Sequence, residues 1–277
     1  MIANKYKIIN KISEGVFGEV YKAENVRTRE KVAIKFEYKQ NNIKMLKNEA
    51  KIYQYLKNKD CFPQLKWFGT NKEINYLVID LLGDSIKNRI NIYKSFCLKN
   101  VLLLGIQMIN HIRILHENFL LHRDIKPDNF LFGLKEFSNR LYLIDLGLCK
   151  RYNFNGNHIV KKNINYLIGS PNFVSINIHQ GIEPSRRDDL ESCIYIISYM
   201  VLGNLEWFQC MDLNKVYGLK IAFINCSILP TFIKEMLIYI RSISFEESPN
   251  YNYLINILKF TLHSNNFKDD NILEWKT

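Results

Sequence analysis

The sequence predicts an α+β chain of two lobes, a small sheet-rich N-terminal lobe and a larger helical C-terminal one. Three observations predict it. Residues 6–36 break into short strand-like runs around a Gly-containing turn. From Leu98 onward apolar residues recur at helical spacing. The texture changes at Asp80-Leu81-Leu82-Gly83, and the joint of two lobes is a natural place for a ligand cleft.

In chain order, Tyr6–Ile12 and Glu19–Ala23 read as strands flanking the turn, and Lys31–Phe36 alternates as a third. Asn41–Leu56 carries Ile43, Leu46, Ala50 and Tyr53 at helical spacing, which predicts a helix. Leu65–Phe68 and Asn75–Ile79 add two strands. Leu98–Asn118 predicts a long helix through Val101, Leu102, Leu104, Ile109, Ile112 and Leu115. Short strands at Asn129–Phe132 and Leu141–Ile144 follow, then helices near Asp188–Leu202, Pro230–Ser242 and Tyr251–Leu262. The apolar run Cys193–Gly203 is too short to span a bilayer and reads as a helix buried on all sides.

Composition narrows the class. With 277 residues, 47% of them apolar and 23% charged, the chain can build a sizeable core, which excludes a disordered tail or a disulfide-stapled mini-protein. No low-complexity block, repeat or Ser/Gly linker divides it. Six cysteines contain no C-x-x-C pair, so reduced, mostly buried thiols and no zinc site are expected. The N-terminus has no apolar stretch of the secretory type, and a cytoplasmic or nuclear location without membrane attachment is expected. Lys plus Arg exceeds Asp plus Glu by 38 − 27 = 11. That excess suits an anionic partner such as nucleotide phosphate or an acidic protein, and equally a solvated surface. The basic residues are dispersed and no nucleic-acid-binding motif is present, so nucleic acid is not expected as the primary partner.

Four segments carry chemistry. Ser13-Glu14-Gly15-Val16-Phe17-Gly18-Glu19-Val20 lies between two strands and looks like a Gly-rich nucleotide loop, in which backbone N–H groups approach phosphate unhindered. The first glycine of G-x-G-x-x-G is Ser13 here, and taken alone the segment reads better as a plain hairpin turn. Val32-Ala33-Ile34-Lys35 places a lysine on the inner face of the third strand, within reach of α/β-phosphates; Glu49 on the following helix is the carboxylate such an ammonium needs. In His122-Arg123-Asp124-Ile125-Lys126-Pro127-Asp128-Asn129, Asp124 can accept a hydroxyl proton, Lys126 can neutralise a transferring phosphoryl group, and Asn129 offers a neutral oxygen to Mg²⁺. Leu143-Ile144-Asp145-Leu146-Gly147 ends a buried strand on an Asp that can bind the same kind of ion.

In this order the motifs resemble those of the protein kinases, with Leu146 in place of the usual Phe of D-F-G. His122–Leu131 and the stretch S-I-N-I-H-Q-G-I-E-P-S-R-R-D-D-L-E-S from Ser175 to Ser192 resemble the casein kinase 1 family; most kinase groups lack the second, and the vaccinia-related and tau-tubulin kinases, which share parts of it, are the near alternatives. The likeness runs from about Tyr6 to Trp275. It implies a two-lobed protein kinase fold: a five-stranded antiparallel N-lobe sheet with one main helix over residues 1–80, a hinge at 81–83, and a mainly α-helical C-lobe over 84–277. It implies a Mg-ATP-dependent Ser/Thr kinase that favours acidic or already phosphorylated proteins, and we expect a monomer. Carried over residue by residue, Lys35 anchors ATP, Glu49 positions it, Asp124 is the base assisted by Lys126, and Asn129 and Asp145 hold Mg²⁺. Ile12, Ser13, Gly15, Gly18, Val20, Ala33, Ile79, Asp80 and Leu82 line the nucleotide, with Ile79 as gatekeeper and Asp80–Leu82 facing adenine through their backbone. Ser170 matches a Thr near the substrate loop, and Asp189 buttresses the catalytic loop. Two departures stand out. Asn172 replaces an Arg expected to meet an anionic substrate group, and residues 206–230 are shorter than the family's segment and match it poorly. The family's long C-terminal tail is not expected here. A binding scaffold without turnover is the alternative, prompted by Ser13, Leu146 and Asn172.

Overall fold

A computed structural model describes residues 1–15, 18–40 and 44–275. The N-lobe is one antiparallel sheet of β1 (Tyr6–Gly15), β2 (Gly18–Asn25), β3 (Lys31–Tyr38), β4 (Leu65–Thr70) and β5 (Ile74–Asp80), in the order β1-β2-β3-β5-β4. Strand alternation gives this sheet two different faces. Val32, Ile34 and Phe36 point to one side, where they close a small core with Tyr6, Ala23, Tyr76 and Val78. Ala33 and Lys35 point to the other side. There Ala33 stands opposite Ile79, and Lys35 opposite Val20 and Leu77. Val20, Ala33, Lys35 and Ile79, all expected to line a nucleotide, therefore share the face turned toward the rest of the molecule.

Helix α1 (Leu46–Tyr55) packs on that inner face. It begins later than the apolar spacing from Asn41 predicts. Lys44 and Met45 are not helical, and Asn41, Asn42 and Ile43 lie outside the described residues. The start is fixed by a tertiary contact. Met45 supplies no side-chain cap. Instead Glu37 reaches from β3, and its Oε1 accepts from the backbone N–H of Met45 (2.6 Å) and Leu46 (2.8 Å). Its Oε2 accepts from Asn75 Nδ2 at 2.9 Å, so this buried carboxylate ties α1 to two strands. Removing it orphans the first donors of the helix. Glu37→Ala is expected to destabilise the fold by about 1–3 kcal/mol, read by chemical denaturation.

The C-lobe is helical: α2 (Ile86–Tyr93), α3 (Leu98–Glu117), α4 (Ile176–His179), α5 (Arg186–Leu202), α6 (Leu213–Ala222), α7 (Thr231–Ser242) and α8 (Tyr251–Ser264). Three short antiparallel pairs lie among them. β6 (Leu120–Leu121) pairs with β9 (Lys150–Arg151), β7 (Phe130–Phe132) with β8 (Leu141–Leu143), and β10 (Asn153–Phe154) with β11 (Asn157–His158). Helix α5 is the centre of the lobe, with every residue from Asp188 to Met200 buried. It stops at Gly203, whose φ of +72° and approach to the Lys94 carbonyl suit only glycine. One continuous core joins α1 to the C-lobe helices. Among the described residues no helix is long and apolar enough to cross a membrane. All six cysteines are free.

Candidate active site

The hairpin of the Gly-rich segment closes with Gly15 opposite Gly18. Val16 and Phe17, at its tip, lie outside the described residues. Gly18 is required by packing as well as by any ligand. Its φ is +141°, and a Cβ there would stand 1.8 Å from the Phe36 carbonyl oxygen. Ile12 and Ser13 are exposed on β1, while Val20 is half-buried on β2. Asp80 turns its carboxylate away from the cleft, accepting from Gln64 N–H (2.7 Å) and pairing with Lys66 (2.9 Å). Its neighbours Leu81 and Leu82 lie between β5 and α2 outside any regular element.

Lys35 joins the two lobes. Its ammonium lies 2.8 Å from Glu49 Oε2 on α1 and 2.6 Å from Asp145 Oδ1 beyond β8. Burial pushes the lysine's pKa down, but the two carboxylates outweigh it and the net shift is upward. Burial likewise pushes Asp145 up, and Lys35 reverses this, leaving Asp145 below the usual carboxylate range. Glu49 is the most enclosed of the three, and there burial prevails over Lys35 and raises its pKa. Asp145 has φ +63°, a left-handed conformation that costs a non-glycine residue about 1–3 kcal/mol unless its surroundings enforce it. Its N–H donates to the Tyr53 hydroxyl of α1 (3.3 Å), and Leu146 after it is fully buried in the main core. The residue replacing the usual Phe is thus a core anchor.

The catalytic-type loop follows β6. Arg123 has φ +68°. The backbone there is held by Asp189 of α5, whose carboxylate accepts from the N–H of His122 (2.7 Å) and Arg123 (2.9 Å) and lies 3.0 Å from His116 Nε2. His122 links this loop to the segment before Asp145. Its Nδ1 accepts from Asp124 N–H, which leaves Nε2–H to donate to the Ile144 carbonyl at 3.0 Å. Asp124 is buried and has both carboxylate oxygens engaged, one by Lys126 Nζ at 2.6 Å and the other by the Ser170 hydroxyl at 2.7 Å. Asn129 sits in a 3₁₀ turn over Pro127–Asn129, one residue before the strand that the sequence placed it in. Its amide nitrogen donates to the Asp124 carbonyl, which leaves its own side-chain oxygen available.

The protein kinase domain family model matches residues 6–248. The chain belongs to the protein kinase domain family. Protein kinase domains work with ATP and Mg²⁺ and act on protein hydroxyls. The residues of this kinase fit that pair of ligands. Asn129 and Asp145 offer hard oxygens. Among the described residues no group of three or more His, Cys, Asp or Glu side chains forms a metal cage. A sparse protein ligand set suits Mg²⁺, which keeps waters and phosphate oxygens in its shell.

Several residues that build the kinase's site carry no motif. Glu37 caps α1, and Tyr53 meets the Asp145 backbone. Trp207 and Lys220 hold the loop after Ser170, with the indole Nε1 donating to the Asn172 carbonyl at 2.8 Å. Their contacts are tertiary, so no local sequence pattern marks them.

Proposed function

We propose that this kinase is a Ser/Thr kinase of the casein kinase 1 type, transferring the γ-phosphoryl group of Mg-ATP to hydroxyls of acidic proteins. The observation that carries the reading is the double engagement of Asp124, by Lys126 and by Ser170, across the cleft from the joined Lys35, Glu49 and Asp145. Lys35 holds the α/β-phosphates, and Glu49 keeps its ammonium in place. Asp124 accepts the proton of the incoming hydroxyl, displacing the Ser170 contact as substrate enters. Lys126 faces the charge that builds on the transferring group. Asn129 and Asp145 would hold Mg²⁺, which when bound would neutralise negative charge on the phosphates. Val20, Ala33, Ile79 and the backbone of Asp80–Leu82 receive adenine. Ile12, Ser13, Gly15 and Gly18 form the strand ends over the phosphates. The hinge is residues 81–83, between lobes at 1–80 and 84–277.

The casein kinase 1 assignment is supported by how its distinctive residues are used. Ser175 Oγ and Asn177 Nδ2 both donate to Asp188 Oδ1, at 2.6 and 3.0 Å, and Ser185 N–H donates to the other Asp188 oxygen at 2.7 Å. Three family-specific positions thus tie the substrate side of the cleft to α5 through one buried carboxylate. The preference for acidic substrates is supported by the +11 charge. Hydrolysis of labelled product should release phosphoserine and phosphothreonine; phosphotyrosine as the main product would overturn the Ser/Thr assignment.

Asn172 cannot bind phosphate as arginine does. Asn172→Arg is expected to raise kcat/KM for a phosphorylated peptide about tenfold relative to its unphosphorylated parent, the effect of one charge-assisted contact. An unchanged ratio would mean that position 172 does not select substrate in this kinase.

A further inference from the structure

Lys220 is a lysine where a lysine is expensive. It is fully buried in α6, in the segment that matches the family pattern poorly. Burial pushes its pKa down to about 7, with Glu191 opposing the shift and Arg241 adding to it. Its ammonium makes no salt bridge among the described residues. Instead it donates to the carbonyls of Pro171 and Val174, both at 2.7 Å, and lies 3.2 Å from His179 Nε2 on α4. An ammonium has three hydrogens, and three acceptors meet it. Burial and the neighbouring Lys220 hold His179 down to about 4, so its ring is neutral near pH 7 and Nε2 can accept. A deprotonated amine would still have two hydrogens for the two carbonyls, so the hold on the loop survives titration. The rings of Tyr195 and Trp207 flank the charge at 5.0 and 5.6 Å.

The segment so held is the one that meets substrate in the reading above. Its carbonyls at 171, 172 and 174 are drawn inward, two by Lys220 and one by Trp207. The Ser170 carbonyl accepts from Phe173 and Val174 N–H, closing the turn. At its start, Gly169 has φ +96° and lies against the Arg123 carbonyl, and Ser170 bonds Asp124. The loop is therefore fixed at one end to the proposed base and at the other to α6.

We propose that Lys220 is a positioning residue for the protein substrate, pinning the loop 170–174 from beneath so that its outer surface holds a fixed place relative to Asp124. The proposal rests on the kinase reading but not on the identity of the substrate. It assigns to the divergent segment 206–230 the task of setting the substrate loop.

The test is steady-state kinetics on the whole chain with an acidic serine peptide, comparing wild type, Lys220→Met and Trp207→Phe. Misplacing a substrate-contacting element by about 1 Å can cost on the order of 100-fold in rate. Lys220→Met is expected to raise the peptide KM about tenfold or more while the KM for ATP stays within about twofold. Trp207→Phe, which keeps a ring but loses the indole donor, should move the peptide KM in the same direction by less. Lys220→Gln, which keeps donor hydrogens on a shorter stem, should recover part of the loss. If Lys220→Met does not fold, Trp207→Phe and Lys220→Gln decide the matter by the same split. An unchanged peptide KM, or equal rises for peptide and ATP, would overturn the proposal. A wild type that binds ATP and transfers nothing would instead overturn the kinase reading itself.

Discussion

Asp124→Asn should cut phosphoryl transfer by about 10²–10⁴-fold while leaving ATP binding intact. The carboxylate lies at the centre of the site, with Lys126 on one oxygen and Ser170 on the other. An asparagine has nearly the same shape and can keep a hydrogen bond to either neighbour, so the pocket should survive. It cannot accept a proton from an incoming hydroxyl. General-base catalysis contributes about 10²–10⁴-fold, and kcat should fall by that order. The nucleotide side is built from β1, β2, β3 and β5, and the substitution touches none of them. Equilibrium binding of a labelled ATP analogue should therefore match wild type. A variant with near-normal turnover would refute the base assignment.

The second large effect is that of Lys35→Met. The lysine ammonium lies between Glu49 and Asp145, and methionine has similar length without charge. Loss of a preorganised electrostatic contact to the reacting group costs about 10²–10³-fold in kcat. The fold should persist, because the two acids can take up protons, and the pH dependence follows from that. In the wild type Asp145 is held below the usual range, so its stabilising share is present at neutral pH and fades as pH falls through the folded value. Without Lys35, Glu49 keeps the raising effect of burial with no ammonium beside it, Asp145 loses the main group that lowers it, and the folded state takes up protons more readily than in the wild type. Stability of the variant relative to the wild type should then improve as pH falls from about 7 to about 5. Melting temperatures measured across that range should converge. A constant gap would mean that the acids do not couple through Lys35.

How much of this could be read from the chain alone depends on the kind of contact. The five strands and the long helices were legible because alternation and helical spacing report burial directly. Their ends were less so. The first helix begins at Leu46 rather than near Asn41 because Glu37, on another strand, caps it. Helix α6 went unread because it shows no apolar stripe; its buried residues are Val216 and Lys220. Helix α2 is short, with only Ile86 and Ile90 buried, and it too was missed. In the site, charged residues carrying motifs stood out: Lys35, Glu49, Asp124, Lys126, Asn129 and Asp145. The groups that aim them did not. Tyr53 and Trp207 look like ordinary core residues in sequence, and Lys220 like an ordinary surface lysine. Their roles come from contacts between distant segments, and local pattern carries no trace of those.

The same distinction bears on the two departures from the family pattern. Leu146 stands where the usual Phe is expected, and in the fold it is a fully buried core residue beside an Asp145 already joined to Lys35. Asn172 looked like a lost anion contact. Its backbone carbonyl is held by Trp207, so the loop keeps a defined path without the arginine. Neither departure disturbs the ring of Lys35, Glu49 and Asp145 or the bonds to Asp124.

The most direct test of the account is transfer of radiolabelled γ-phosphate from Mg-ATP to casein, with Asp124→Asn run beside the wild type. The account predicts label on serine and threonine of casein with the wild type and a rate about 10²–10⁴-fold lower with the variant. Wild-type protein that binds ATP yet leaves casein unlabelled, or equal labelling by both proteins, would contradict it.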